Sequence, residues 1–515
     1  MSSLKERYFY KLFANSMGIL FAAASQIIVV RGLGPKTFGD FTYLTGFFNQ
    51  VIAFLDMGTS TGFYTKLSQR QREFNLVKFY FYFMGAAVLI VLSGVGLAHI
   101  SSLHRYIWPQ QQVNHIYLAA VWGAGFWAMQ ILSQMTDAYG LTVIGEKIRI
   151  VQRVGALVLI ALLYSLHLLN LESLFYYHYV VMGVGGYLLV SRMVRHGYLK
   201  AGEDRISMAQ ASKYTREFYH YSHPLFICSL LAMVAGIVDR WLLQVFGGSI
   251  QQGFYGFSYQ IGTLCFLFTS AMIPLLFREF SIAYGNQDIG QIAALFRRYV
   301  PLLYSITAYF ACFVVVQTDN VISLFGGERY REAASAVAIM VLFSIHQTYG
   351  QLSGSVFYAT GQTRLFRNIS VFSMIFGLPI TYFLIAPAER YGMGAGATGL
   401  AVKMVLLQFI DVNIALYFNT KFLKLPFLKY LGHQLLNGAC LLAIATSAAA
   451  CATYIVSPQE SRIFNFLLSG VLYTVAAAVI VLLFPALFGL RGGDIRAVLS
   501  AISGGIQKLR GESIS

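Results

Sequence analysis

Residues Arg31–Lys66 read RGLGPKTFGDFTYLTGFFNQVIAFLDMGTSTGFYTK. A tight turn, Arg31 to Gly39, separates two apolar segments. The second carries Asp56, followed by Met57, Gly58, Thr59, Ser60, Thr61 and Gly62. Insertion scales put an acid inside an apolar span at a cost of about 2.5–3.5 kcal/mol, so Asp56 needs a reason to be there. The turn returns once. Phe38-Gly-Asp-Phe-Thr-Tyr43 is echoed by Phe254-Tyr-Gly-Phe-Ser-Tyr259, behind Gly247-Gly248 and another apolar run. The echo predicts two related halves.

The rest of the chain sets this stretch in a membrane. Of its residues 57% are hydrophobic and only 11% charged, against about 25% charged in a soluble domain. Mean hydropathy is +0.63. The net charge of +16 is not read as a nucleic-acid signature, because lysines and arginines in a membrane protein must first be placed by side. The five cysteines, Cys228, Cys265, Cys312, Cys440 and Cys451, fall inside apolar runs without metal-ligand spacing, so no metal and no disulfide are expected. Lys5, Arg7 and Lys11 precede an apolar run long enough to span, with no small-residue cleavage site, and no cleaved leader is expected.

Runs of about 20 apolar residues mark spans. Fourteen are read, near 9–30, 40–64, 79–100, 114–137, 150–169, 174–191, 221–246, 254–277, 299–318, 333–359, 366–386, 396–418, 432–455 and 464–488. Twelve would preserve the same sidedness. Helices are expected, because lipid leaves backbone groups no other partner outside a closed barrel, and barrel alternation is missing. With the N-terminus in the cytoplasm, 28 of the 37 Lys and Arg fall in cytoplasmic segments and 7 on the other side. That bias predicts cytoplasmic termini and an even number of spans.

The predicted organisation is all-α and polytopic. A six-helix lobe, 1–191, is followed by a basic cytoplasmic linker, 192–220, and a second six-helix lobe, 221–420. Two additional spans, 421–490, and a cytoplasmic tail, 491–515, complete it. The lobes form a parallel pseudo-repeat, an arrangement that places substrate sites at the repeat interface. The linker is either an ordinary loop under positive-inside bias or a docking surface for a partner or anionic lipid. From Asp494 the tail interleaves apolar and basic residues and reads as an interfacial helix or a frayed end.

Five ionisable residues lie within spans: Asp56, Asp239, Arg240, Lys403 and Asp411. Such residues usually face a bundle interior or a watery cavity. Neighbours on a helix point about 100° apart, so Asp239 and Arg240 should have different partners. Arg240 and Lys403 could hold a phosphate or pyrophosphate, with Asp239, Asp56 and Asp411 as cavity acids that bind a counter-ion or pair with the cations. The structural alternative is ion pairs that only lock helices together, with Arg240 snorkelling. His346, with Asp411, is the candidate ion or proton relay; a hydrogen-bonded structural histidine is the alternative. Mid-span aromatics and amides, Tyr255, Tyr259 and Gln260 or Gln347, Tyr349 and Gln351, suit a passage for sugars or plain bundle packing.

Enzyme signatures are missing. There is no Walker A loop, no H-E-x-x-H and no G-x-S-x-G.

R-x-L-G-P-x-x-F-G from Arg31 to Gly39, D-x-G at Asp56 and Gly58, and the Asp239-Arg240 pair before the stretch reaching Tyr259 resemble one family. It is the polysaccharide flippases of the multidrug/oligosaccharidyl-lipid/polysaccharide (MOP) exporter superfamily, above all the O-antigen type. The resemblance implies two lobes around a cavity that opens alternately to each side. It implies translocation of undecaprenyl-diphosphate-linked oligosaccharide from the cytoplasmic to the periplasmic leaflet of a bacterial or archaeal inner membrane, for lipopolysaccharide or other polysaccharide biosynthesis. Membrane lipid, an H⁺ or Na⁺ counter-ion and polysaccharide-assembly proteins are the implied partners, and no cofactor is implied. Many relatives carry a further Arg early in the first span; here ANSMGILFAAASQ has none. The alternatives are an ion-coupled drug exporter of the same superfamily, a membrane polysaccharide polymerase or ligase, and a scaffold for sugar assembly.

Overall fold

The computed structural model describes residues 4–71, 73–199, 206–270, 272–456 and 462–490. The tail beginning at 491, with its expected interfacial helix, lies outside them. Among the described residues all regular structure is helical. The first part of the chain forms α1 (Leu4–Asp56), α2 (Thr59–Gln69), α3 (Phe74–Ile100), α4 (His104–Ile107), α5 (Val113–Ala138), α6 (Thr142–Ser165), α7 (Leu171–Arg195) and α8 (Met208–Ser222). The remainder forms α9 (Phe226–Ser270), α10 (Ile273–Gly285), α11 (Ile289–Val316), α12 (Thr318–Phe325), α13 (Ala334–Ala359), α14 (Thr363–Ile385), α15 (Gly396–Phe422), α16 (Phe427–Ile455) and α17 (Arg462–Leu483). Eleven of these helices are long and apolar enough to cross a membrane. The first two expected spans are joined in α1, and the seventh and eighth in α9.

Both joins are kinks at glycine. Gly34 takes φ 72°, ψ 172°, and Gly248 takes φ 69°, ψ −172°. This backbone region is essentially closed to residues with a Cβ. Pro35 then restarts the helix with φ already set and no N–H to leave unpaired. The two kinks pack on each other. A methyl on Gly39 would run into the Ser249 carbonyl, and one on Gly253 into that of Pro35. A methyl on Gly256 would press on the Thr42 side chain. Gly34 and Gly248 stand 214 positions apart, as do Gly39 and Gly253, Pro35 and Ser249, and Thr42 and Gly256. Equivalent positions therefore meet reciprocally, as a local two-fold relation requires. This corrects the register of the sequence echo, which had set Phe38 against Phe254. The aromatic residues drew that alignment, whereas the backbone relation follows the glycines. Tyr330, fully buried, packs its ring against Phe38 and Phe257, at centroid distances of 6.4 and 4.8 Å.

The chain falls into two compact units. The first takes in Met1–Phe257, Leu324–Glu332 and Met374–Leu400. Its core joins α2, α3, α5 and α8 through Phe63, Tyr80, Trp127 and Phe218, with Phe63 stacked on Tyr80 at 4.3 Å. Helix α8, in the linker, is tied down by Lys66–Glu217 and by Tyr214, which donates to Glu73 at 2.6 Å. The Lys66 ammonium beside Glu217 holds its carboxyl below the usual range. Ile90, Leu97 and Val158 stand exposed on α3 and α6. On a soluble protein such faces would be a liability; on membrane helices they face lipid. The second unit takes in Ser258–Ser323, Ala333–Ser373 and Ala401–Ser515. Here α11 packs on α13 and α16, and Thr269, Thr307 and Thr348 form a buried hydroxyl cluster with separations of 2.8–3.2 Å.

Two expected spans are corrected, 254–277, which is divided between α9, ending at Ser270, and α10, starting at Ile273, and 40–64. The run 40–64 is not one helix: α1 stops at Asp56, Met57 and Gly58 turn left-handed at φ 40° and 77°, and α2 starts at Thr59. Two consecutive left-handed residues cannot continue an α-helix.

Candidate functional site

Asp56 explains that break. Its Oδ1 accepts the Ser60 backbone N–H at 2.9 Å and the Thr59 hydroxyl at 3.0 Å, and its Oδ2 accepts the Ser60 hydroxyl at 2.8 Å. Tyr80 adds a fourth bond at 3.2 Å. The carboxylate thus satisfies one of the otherwise orphaned N–H groups at the start of α2, that of Ser60, where negative charge also suits the helix dipole.

Asp239 and Arg240 sit on α9 and do point to different helices. Asp239, 8% exposed, accepts the Thr381 hydroxyl at 2.6 Å, on α14. Arg240 is turned toward α1. Its Nη1 donates to the Thr42 carbonyl at 3.3 Å, and its guanidinium lies 5.1 Å from the centre of the Tyr255 ring. Gly46 makes the room: a methyl there would come 3.1 Å from Arg240 Nε. Arg240 is half-buried, and no carboxylate pairs with it among the described residues. Most of its N–H donors are open to a ligand or to water. These contacts all lie within the first unit.

Lys403 and Asp411 are on the α15 segment of the second unit. Lys403 is buried at 6% exposure, and its charge acts on Asp411. Asp411 lines a cavity of about 400 Å³ together with Gln347, Gln351, Ser370 and Gln408. Ser373 donates a hydrogen bond to Asp411 Oδ1, and Gln408 donates to Gln347 Oε1 at 2.9 Å. His346 is not part of that wall. Its ring meets Phe409 edge to face at 5.1 Å, and its buried Nδ1 has no hydrogen-bond partner among the described residues. Of the expected aromatic and amide lining, Gln347 and Gln351 face the cavity, while Tyr349 is fully buried against Tyr304.

Several partners escaped sequence reasoning. Gln408 is one helical turn before Asp411, and Ser370 and Ser373 share that spacing on α14, so their faces were legible. Thr381 was not, since nothing in the sequence pairs it with Asp239. Asp40 was also missed. It accepts hydrogen bonds from Ser249 and from Gln111, the latter at 2.6 Å, and so joins the two kinks.

No protein-family model matches the sequence, and no curated protein sequence does either. Solved structures do. A multidrug resistance MATE family transporter of the MOP superfamily, solved inward-facing, superposes with a TM-score of 0.62 at 15% identity, over 81% of this chain and 98% of that one. The lipid II flippase MurJ, in an inward closed conformation, superposes with a TM-score of 0.64 at 11% identity, over 92% of this chain and 98% of that one. The chain has the fold of these transporters. A MOP superfamily transporter from Pyrococcus furiosus also matches, with a TM-score of 0.55 at 15% identity over 81% of this chain and 95% of that one. The shared fold extends over 92% of this chain in the second of these superpositions. Identities of 11–15% carry the likeness in backbone architecture alone.

Proposed function

We propose that this protein is a flippase for lipid-linked oligosaccharide, moving an undecaprenyl-diphosphate-linked unit between leaflets by alternating access. The observation that carries this reading is Arg240: a half-buried guanidinium in a membrane helix, held by a carbonyl and an aromatic ring and matched by no carboxylate among the described residues. Such a group suits an anion of diphosphate type, which accepts from the guanidinium fork. Lys403, buried in the second unit, is a separate candidate cation. The R-x-L-G-P-x-x-F-G motif supports the polysaccharide branch. The larger matched share with the lipid II flippase, 92% against 81%, supports it too, because it leaves room for counterparts of the last helices.

In this reading the lobes 1–191 and 221–420 rock about the site. The linker 192–220 joins them, and the spans of 421–490 flank the second lobe. The diphosphate rides on Arg240, the sugars pass along amides and hydroxyls, and the lipid tail stays in the bilayer. Asp239 offers a place for an H⁺ or Na⁺ counter-ion. The location is an inner or plasma membrane with both termini cytoplasmic. A second reading, an ion-coupled exporter of small cations, is favoured by the two acids carried within membrane helices, Asp239 bonded to Thr381 of α14 and Asp411 bonded to Ser373.

The test is charge reversal. Arg240→Glu in proteoliposomes is expected to lower translocation of a fluorescent lipid-diphosphate sugar at least tenfold, with an unchanged elution profile and melting temperature. Translocation at the unaltered rate would take Arg240 out of the site. Loss of cationic-drug efflux without loss of lipid translocation would favour the exporter.

A further inference from the structure

The cavity of the second unit has a chemistry that the diphosphate does not use. Its polar wall is Gln347, Gln351 and Ser355 on α13, Ser370 on α14, and Gln408 and Asp411 on α15, with Tyr358 also lining it. Neither lysine, arginine nor histidine lines it. A carboxylate with no cation in the wall repels phosphate, so the anionic part of a lipid diphosphate has no place there. An apolar amphiphile would leave the Gln351 amide and the second Asp411 oxygen without partners, at about 1–3 kcal/mol for each group. A divalent ion would find one carboxylate, and no cluster of metal ligands is present among the described residues.

What remains is a neutral ligand that both donates and accepts. The amides offer donors and acceptors, and the carboxylate offers acceptors. One oxygen of Asp411 is taken by Ser373, and the other has no partner among the described residues. The Gln351 side chain likewise makes no hydrogen bond among them. The Gln347–Gln408 bond fixes two amides side by side. Gly350 permits it, because a methyl there would come 2.8 Å from Gln408 Nε2. The volume, about 400 Å³, falls in the lower range of small-molecule pockets.

We infer that this cavity is a carbohydrate subsite that takes one pyranose ring of the translocated unit, with Gln351 and Asp411 meeting its hydroxyls. The inference rests on the flippase reading and deepens it, by separating a neutral sugar subsite from the cationic anion site at Arg240. Sugar recognition then lies in the second unit, and replacing its wall changes which oligosaccharide is accepted without changing the grip on the diphosphate.

The experiment uses the full purified chain and two kinds of probe. One is farnesyl diphosphate; the other is farnesyl diphosphate bearing glucose, galactose or N-acetylglucosamine. The unaltered protein is expected to bind at least one glycosylated probe more tightly than the bare one. Gln351→Leu and Asp411→Asn should each cut affinity for that probe about tenfold, equivalent to about 1.4 kcal/mol, and leave the bare probe unchanged. The two variants lie on different helices, so a folding failure in one leaves the other informative, with melting curves as the check. A preference kept by both variants, an equal loss for both probes, or no preference in the unaltered protein overturns the subsite. A loss confined to sodium or pH dependence in Asp411→Asn also overturns it, in favour of a cation site. Binding of neither kind of probe by the unaltered protein removes the flippase reading and the subsite with it. Loss of both in Arg240→Glu alone supports the separation.

Discussion

A single acid shows how much a side chain's surroundings decide its meaning. From sequence, Asp56 is an expensive charge in an apolar span and so a candidate cavity residue. In the structure its two oxygens take four hydrogen bonds, three of them from Thr59 and Ser60 at the start of α2. The cost of the charge is offset where the helix is broken and restarted. Asp56→Ala removes the cap and is expected to destabilise the protein by about 0.5–2 kcal/mol. Asp56→Asn keeps the acceptor to the Ser60 N–H. It should melt within a degree or two of the unaltered protein and transport at the same rate. Normal melting with abolished transport in Asp56→Asn would show that the charge itself serves the substrate. Arg240 is the contrasting case. Its neighbours, Thr42, Gly46 and Tyr255, orient a guanidinium without neutralising it.

At the scale of elements, the sequence revealed the helices and the places where they turn, and it missed their contacts. Apolar runs of membrane length are legible because the bilayer imposes a fixed length and an internally satisfied backbone. The short span read near 174–191 was visible for the same reason, and it is α7, Leu171–Arg195. Breaks inside apolar runs were not visible. Asp56-Met-Gly58 looks continuous in hydropathy, and only the left-handed pair at Met57 and Gly58 ends the helix. The repeat was visible but mis-set by two residues, because aromatic identity outweighed glycine position. The reciprocal contact of the kinks carries its own prediction. Gly39→Ala and Gly253→Ala each push a methyl into a backbone carbonyl of the other kink. Each should cost about 1–3 kcal/mol, as overpacking does, read as a lowered melting temperature in detergent. The symmetry of the contact predicts similar losses for the two. A loss in one and none in the other would contradict the reciprocal packing. Asp40, bonded to Ser249 and Gln111, reinforces the same junction.

For the whole molecule, the fold is that of MATE transporters and of a lipid II flippase, and the substrate is read from side chains that fold alone does not determine. The candidate residues were partly legible, because charge within a span is rare enough to be conspicuous. Of their partners, Gln408 and Ser373 shared a legible helical spacing, whereas Thr381 is an ordinary residue until the helices are packed. Sidedness of transport is read from the leaflet distribution of undecaprenyl-diphosphate-linked oligosaccharide in cells lacking this protein. A membrane-impermeant reagent that labels only outward-facing sugar reports it. The account predicts intact lipid-linked units accumulating on the cytoplasmic face and loss of the corresponding surface polysaccharide, both reversed by the unaltered chain and not by Arg240→Glu. Lipid-linked units reaching the outer face at the normal rate in those cells would contradict it.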